Sequence, residues 1–239
     1  MIGLGTIANV AAIVVGGCLG TLFRGGLKER YQTALIRTLG VTTMFLGIAG
    51  ALPGMLAVVE GQLVGKDSLG MILALALGTV IGEFLDFDGL LEHLGRWLKE
   101  KAARGDDARF IEGFVTASLV VCVGAMAVVG SIQDGLSGDP ATLYTKSILD
   151  FAIVMVFAST YGRGAIFSAL PVGVLQGSVT LLAGLVAPLF TPEAIANLSF
   201  LGSILIFCVG VNLAFEPRFR VANMLPALIL GPVYVFFFG

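Results

Sequence analysis

The chain has 239 residues, of which 57% are apolar and 13% charged, with 14 Lys and Arg against 16 Asp and Glu. Charged residues make up about a quarter of an ordinary soluble domain, so this low fraction, with a mean hydropathy of +0.98, excludes a water-soluble globular protein. The basic residues are too few and too scattered for a nucleic-acid partner, and a lone histidine rules out a His-metal cluster.

Crossing the hydrocarbon layer takes about 20 apolar residues. Runs near that length predict eight spans at Leu4–Phe23, Leu35–Val58, Leu69–Leu85, Phe114–Ile132, Ser147–Tyr161, Ile166–Leu189, Leu198–Phe215 and Val221–Phe238. The expected architecture is all-α, a polytopic transmembrane helical bundle forming a single membrane domain over residues 1–239. No basic residue precedes the first run and no Ala-x-Ala site ends it, so it reads as a mature span rather than a cleaved leader. Arg24, Lys28, Arg30 and Arg37 follow it. Arg96, Lys99, Lys101, Arg104 and Arg109 follow span three, Arg163 follows span five, and Arg218 and Arg220 follow span seven. Those alternate loops hold 12 of the 14 basic residues, and the outer loops hold only Lys66 and Lys146. Basic residues mark the cytoplasmic side, so both termini are expected outside the cytoplasm.

The inner loop 86–112 carries Leu90, Leu91, Leu94, Trp97 and Leu98 at helical spacing, with charged residues between them. This predicts an amphipathic cytoplasmic helix with Trp97 on its apolar face, ended by Gly105, Asp106 and Asp107. The outer stretch from Ser131 to Tyr144 is polar, and reads as a solvated loop or as a cation-attracting vestibule around Asp134, Asp139 and Asp150. Cys122-Val123-Gly124 in span four recurs as Cys208-Val209-Gly210 in span seven. An offset of three spans suits a three-plus-three inverted repeat, although apolar glycine-rich helices also resemble one another by chance.

Polar groups inside a span are costly and tend to face the bundle interior or a wet cavity. The candidates for a transport pathway are Asn9, Glu83, Ser118, Asp150, Ser168, Gln176 and Asn212. Asp150 follows Lys146 by four residues, so the two can pair on one helix face, as an interfacial salt bridge or as a coupling site near the outer mouth. Glu83 follows Gly78 and Gly82 at the inner end of span three, where it snorkels or accepts a proton. Pro171 and Gly173 interrupt span six beside Ser168 and Gln176, as a simple kink or as a broken helix lining a site. Cys18, Cys122 and Cys208 read as small buried hydrophobes. No metal site, cofactor fingerprint or enzyme signature appears, and the chain is not expected to be an enzyme.

The opening Gly5-Thr6-Ile7 with Asn9 and Gly16-Gly17 belongs to a wider set of motifs. Gly113-Phe114-Val115-Thr116-Ala117-Ser118-Leu119, Cys122-Val123-Gly124-Ala125-Met126 and Gly130-Ser131-Ile132-Gln133-Asp134-Gly135 follow it. Lys146-Ser147 with Asp150, Phe167-Ser168-Ala169, Gln176-Gly177 and Asn223-Met224-Leu225-Pro226-Ala227 complete the set. Nearly end to end, the chain resembles the DUF554 family of bacterial multi-span inner-membrane proteins, departing from its pattern at the bulky Arg163 between two glycines. The resemblance implies a bacterial plasma-membrane location and brings no catalytic or binding residues with it.

The expected function is secondary transport of a small solute or ion, with the lipid bilayer as surroundings and room for a homo-oligomer. The alternative is a non-transporting membrane component that binds or regulates a partner through the helix around Trp97.

Overall fold

The computed structural model describes residues 2–24, 29–66, 69–102, 109–123, 125–215 and 219–238. Lys28, Arg104, Arg218, Gly124 and the proposed helix stop at Gly105, Asp106 and Asp107 lie outside the described residues.

The elements in order are α1 (Leu4–Arg24), α2 (Glu29–Met55), β1 (Leu56–Val59), β2 (Gln62–Gly65), α3 (Leu69–Leu85), α4 (Phe87–Ala102), α5 (Phe110–Cys122) and α6 (Ala125–Ser137). They continue with α7 (Ala141–Tyr161), a 3-10 helix Arg163–Ser168, α8 (Ala169–Leu181), α9 (Ala183–Val186), α10 (Pro192–Ala214), a 3-10 helix Val221–Met224 and α11 (Ala227–Phe238). Among the described residues, five helical segments are long and apolar enough to cross a membrane, and up to seven if each of two bent pairs is one span. Val221–Tyr234 is a shorter apolar helix at the place of the eighth predicted span, so eight is an approximate count.

Span two ends sooner than its hydropathy suggests. Pro53 lies in the last turn of α2, and the apolar residues beyond Met55 form a hairpin pairing Leu56 with Gly65 and Val59 with Gln62. Glu60 and Gly61 both take positive φ, 50° and 79°, as a tight two-residue hairpin turn requires. Span six also differs. Pro171 falls in the first turn of α8, where a missing N–H costs nothing, so it opens the helix instead of breaking it. The Ala165 carbonyl in the preceding 3-10 helix accepts a hydrogen bond from Ser168 Oγ at 2.7 Å.

The chain divides into two compact units. Unit 1 comprises Met1–Thr38, Gly89–Cys122 and Met126–Ala187, and unit 2 comprises Leu39–Asp88, Val123–Ala125 and Pro188–Gly239.

In unit 1, α1 lies along α7. A Cβ on Gly16 or Gly20 would meet the backbone of Phe151 or Met155, so small residues set the close approach of the two helices. Gly5 faces Leu143 and Gly20 faces Met155, which makes α1 and α7 parallel. Against α8 the order reverses: Thr6 meets Thr180, Val10 meets Gly173 and Ile166 meets Gly17. Leu98 of α4 packs with Phe110 and Phe114 into a core that includes Phe167, so one edge of the amphipathic helix is built into the unit. Leu90, Leu94 and Trp97 form its exposed apolar edge.

In unit 2, α2 runs antiparallel to α10, with Gly40 against Ala214 and Gly54 against Phe200. Its α3 runs antiparallel to α11, with Gly70 against Tyr234 and Gly78 against Ala227. Ala51, Ala74, Phe200 and Leu201 form its buried core. Within each unit these directions agree with spans that alternate in sequence order.

Candidate functional site

The buried charges among the described residues are Asp134, Lys146 and Asp150, all in unit 1. Helix α7 begins at Ala141, six residues before the predicted start of span five. Asp150 therefore lies nine residues into a helix of 21, about 13 Å along its axis, near mid-span and not one turn from the mouth. Lys146 moves inward with it, out of the outer loop assigned to it from sequence.

The pair is not interfacial. Lys146 Nζ donates to Asp150 Oδ2 at 2.6 Å, with side-chain exposures of only 8% and 4%. Asn9 Nδ2 donates to the same oxygen at 2.9 Å across the α1–α7 seam. Lys146 Nζ also donates to the Val121 carbonyl at 2.8 Å. Val121 stands in the last turn of α5, whose axis is inclined at 61° to that of α6. A helix that stops leaves its final carbonyls without intrahelical donors, and an ammonium there meets the negative end of the helix dipole. The bend thus falls in span four rather than span six, and the lysine caps the end of α5.

Gln176 is buried, and neither its Oε1 nor its Nε2 has a partner. It lies one turn from Thr180, whose hydroxyl is 3.5 Å from that of Thr6. Asn9 lies one turn from Thr6 in the same direction along the antiparallel α1–α8 seam, so Asn9 and Gln176 share a level. The amide oxygen of Asn9, turned away from Asp150, also has no partner. Asp134 completes the array. The polar stretch as far as Ser137 belongs to α6, which leaves only Gly138, Asp139 and Pro140 as the connection to α7, and Asp134 Oδ2 accepts from the Gly5 N–H at the start of α1 at 3.1 Å.

Ser118 and Ser168, also in unit 1, are buried but spend their hydroxyls on Phe114 and Ala165 carbonyls of their own segments. Glu83 and Asn212 belong to unit 2 and are engaged there. Glu83 pairs with Arg220 at 2.7 Å, and Asp86 and Asp88 also face that guanidinium. Desolvation opposes its charge, but the carboxylates of Glu83, Asp86 and Asp88 hold Arg220 above its ordinary pKa. Asn212 clasps Phe219, donating to its carbonyl at 2.7 Å and accepting from its N–H at 3.0 Å. An apolar groove of about 520 Å³ along α3, between Ile72 and Glu83, has no charged group besides Glu83 on its wall. Among the described residues no three His, Cys, Asp or Glu side chains gather as metal ligands would.

Sequence reading missed Lys146 and Asp134 as site residues because both were placed in an outer loop. The signal was present in the run from Ala141 to Tyr161, which is as long as a whole span once the buried lysine is allowed inside it.

The model of the family described as "Protein of unknown function (DUF554)" matches residues 4–236. The chain belongs to the DUF554 family. It is 31% identical over 232 residues to the "Uncharacterized membrane protein YdfK" of Bacillus subtilis (strain 168), covering 97% of this chain and 95% of that protein. It is 30% identical over 234 residues to the "Uncharacterized protein YqgA" of Escherichia coli (strain K12), covering 95% and 94%. No solved structure matches it. The Bacillus subtilis relative's name and the long apolar helices together place the chain in a membrane.

Proposed function

We propose that the chain is a secondary transporter for a small solute or ion, with its pathway in unit 1 past Asn9, Lys146, Asp150 and Gln176. The observation that carries this reading is the set of open amide atoms of Asn9 and Gln176, buried at one level beside the Lys146–Asp150 pair and the bend in span four. Buried polar atoms are normally satisfied by protein or water, and inside a membrane span an unsatisfied cluster marks a path for something polar. No reaction is needed to account for it. The proposed setting is a bacterial plasma membrane with both termini outside. Removing Lys146 from the loops leaves 12 basic residues on one side against Lys66 on the other, which favours that orientation.

Uptake into proteoliposomes, with and without an ion gradient, tests the reading. Asn9→Leu and Gln176→Leu should each lower uptake by tenfold or more without unfolding the protein. Gradient-driven uptake unchanged in Asp150→Asn would remove the coupling role of the pair.

The exposed edge of Leu90, Leu94 and Trp97 supports a second reading, docking of a partner or of lipid headgroups on α4. Trp97→Glu should abolish that association while leaving uptake intact. Loss of uptake alone would place α4 in the transport machinery instead.

A further inference from the structure

Among the described residues unit 1 buries two carboxylates, Asp134 and Asp150, and only Asp150 is paired with a cation. Asp150 holds the ammonium of Lys146, which the Val121 carbonyl completes. The chain thereby displays what a carboxylate in this interior binds: a primary ammonium shared with a neutral carbonyl oxygen. Asp134 has comparable surroundings and no lysine. Its Oδ2 takes the Gly5 N–H, its Oδ1 has no partner, and no ion pair reaches it among the described residues.

The neutral oxygens are supplied next to it. Gly5, bonded to Asp134, precedes Asn9 by one turn of α1, about 6 Å along the axis. Gly135, the neighbour of Asp134, packs on Thr180, one turn from Gln176 on α8. The orientation of Asn9 follows from chemistry: its NH2 must face the Asp150 carboxylate, so its carbonyl is the atom left open. By their spacing along α1 and α8, three unpartnered oxygens, Asp134 Oδ1, Asn9 Oδ1 and Gln176 Oε1, fall within about a turn of one another, and this lane also holds the unpartnered donor Gln176 Nε2.

We propose that this lane binds a small primary ammonium compound, with its charged end at Asp134 and its remaining N–H or O–H donors toward Asn9 and Gln176. The proposal rests on the reading of unit 1 as a solute pathway and assigns that pathway a cargo class. Other classes fit less well. An anion meets the Asp134 charge. A neutral solute leaves that charge buried and uncompensated, which is costly, and the start of α1 offsets only part of it. Calcium takes six to eight oxygens, more than the three left open, and no three His, Cys, Asp or Glu side chains gather for another divalent ion among the described residues.

The test uses the full chain purified in detergent, with unfolding followed by circular dichroism. Methylammonium and 2-aminoethanol should raise the unfolding midpoint in a saturable way. Tetramethylammonium, which has charge but no N–H, acetamide, which has N–H but no charge, and sodium should not. Asp134→Asn should erase the effect. Gln176→Leu, which keeps the charge and the side-chain size, should weaken the apparent affinity tenfold or more. Stabilisation by acetamide or tetramethylammonium as strong as by methylammonium, persistence of the effect in Asp134→Asn, or no response to either ammonium would overturn the proposal. Uptake of labelled methylammonium by proteoliposomes separates the two ideas. Saturable binding without uptake keeps the site and sinks the transport reading. Uptake of a neutral or anionic solute by a protein that ignores methylammonium does the reverse.

Discussion

Unit 1 and unit 2 are built from similar apolar, glycine-rich helices, yet they place charge in opposite ways. Unit 1 buries Asp134, Lys146 and Asp150, whereas no described charged residue of unit 2 is buried. Among the described residues, four of the five buried side-chain atoms without a partner also fall in unit 1, and the fifth is Asn223 Nδ2 in unit 2. Helix packing alone demands no buried charge, as unit 2 demonstrates with its glycine seams. The polar interior of unit 1 is therefore an addition to the scaffold, and in a membrane protein such an addition points to function.

The largest effect should come from splitting the buried pair. Lys146→Met strands the Asp150 carboxylate, and breaking one partner of a buried ion pair costs about 3–5 kcal/mol. Replacing both, Lys146→Met with Asp150→Leu, should recover most of that loss and still abolish uptake. Chemical unfolding in detergent checks the first statement and proteoliposome uptake the second. A single mutant as stable as the parent would mean the pair is hydrated, and unit 1 would lose its distinction from unit 2.

The seams should answer alike in both units. A Cβ at Gly20 would fall on the Met155 carbonyl in unit 1, and one at Gly82 on the Asn223 carbonyl in unit 2. Gly20→Ala and Gly82→Ala should each destabilise by about 1–3 kcal/mol, the usual range for overpacking. A loss confined to one unit in unfolding experiments would show that the other seam yields, and would sharpen where the rigid frame lies.

These contrasts also explain how much was legible beforehand. Hydropathy placed an apolar run at most of the helical segments, because length and apolar content are local properties, while the count of eight spans stays approximate. The amphipathic spacing around Trp97 was legible for the same reason. The site was half legible. Asn9, Asp150 and Gln176 stood out as polar residues in apolar runs. Lys146 did not, since a lysine ordinarily ends a span, and only a partner four residues on, a second amide and a helix end keep it inside. Asp134 read as loop because Gln133, Gly135, Ser137 and Gly138 surround it, while its burial depends on Gly5, 129 residues away. Pro171 misled in the other direction: a proline marks a break only when it falls beyond the first turn, and the start of α8 is set by the 3-10 helix before it.

The smallest effect should come from Arg220. Its side chain is 49% exposed, and those of Glu83 and Asp86 beside it are 46% and 57% exposed, so water screens each pair. Exposed pairs contribute little individually. Three carboxylates around one cation nevertheless repel one another once it is gone, so Arg220→Gln should lower the unfolding midpoint slightly at low salt. At about 1 M salt, where the screening length falls to about 3 Å, the variant should match the parent. Uptake should not change, because this cluster belongs to unit 2, where charge remains at exposed positions. If uptake collapsed in Arg220→Gln while unfolding stayed the same, the exposed cluster would be part of the pathway, and Glu83 would regain the role its position in the sequence first suggested.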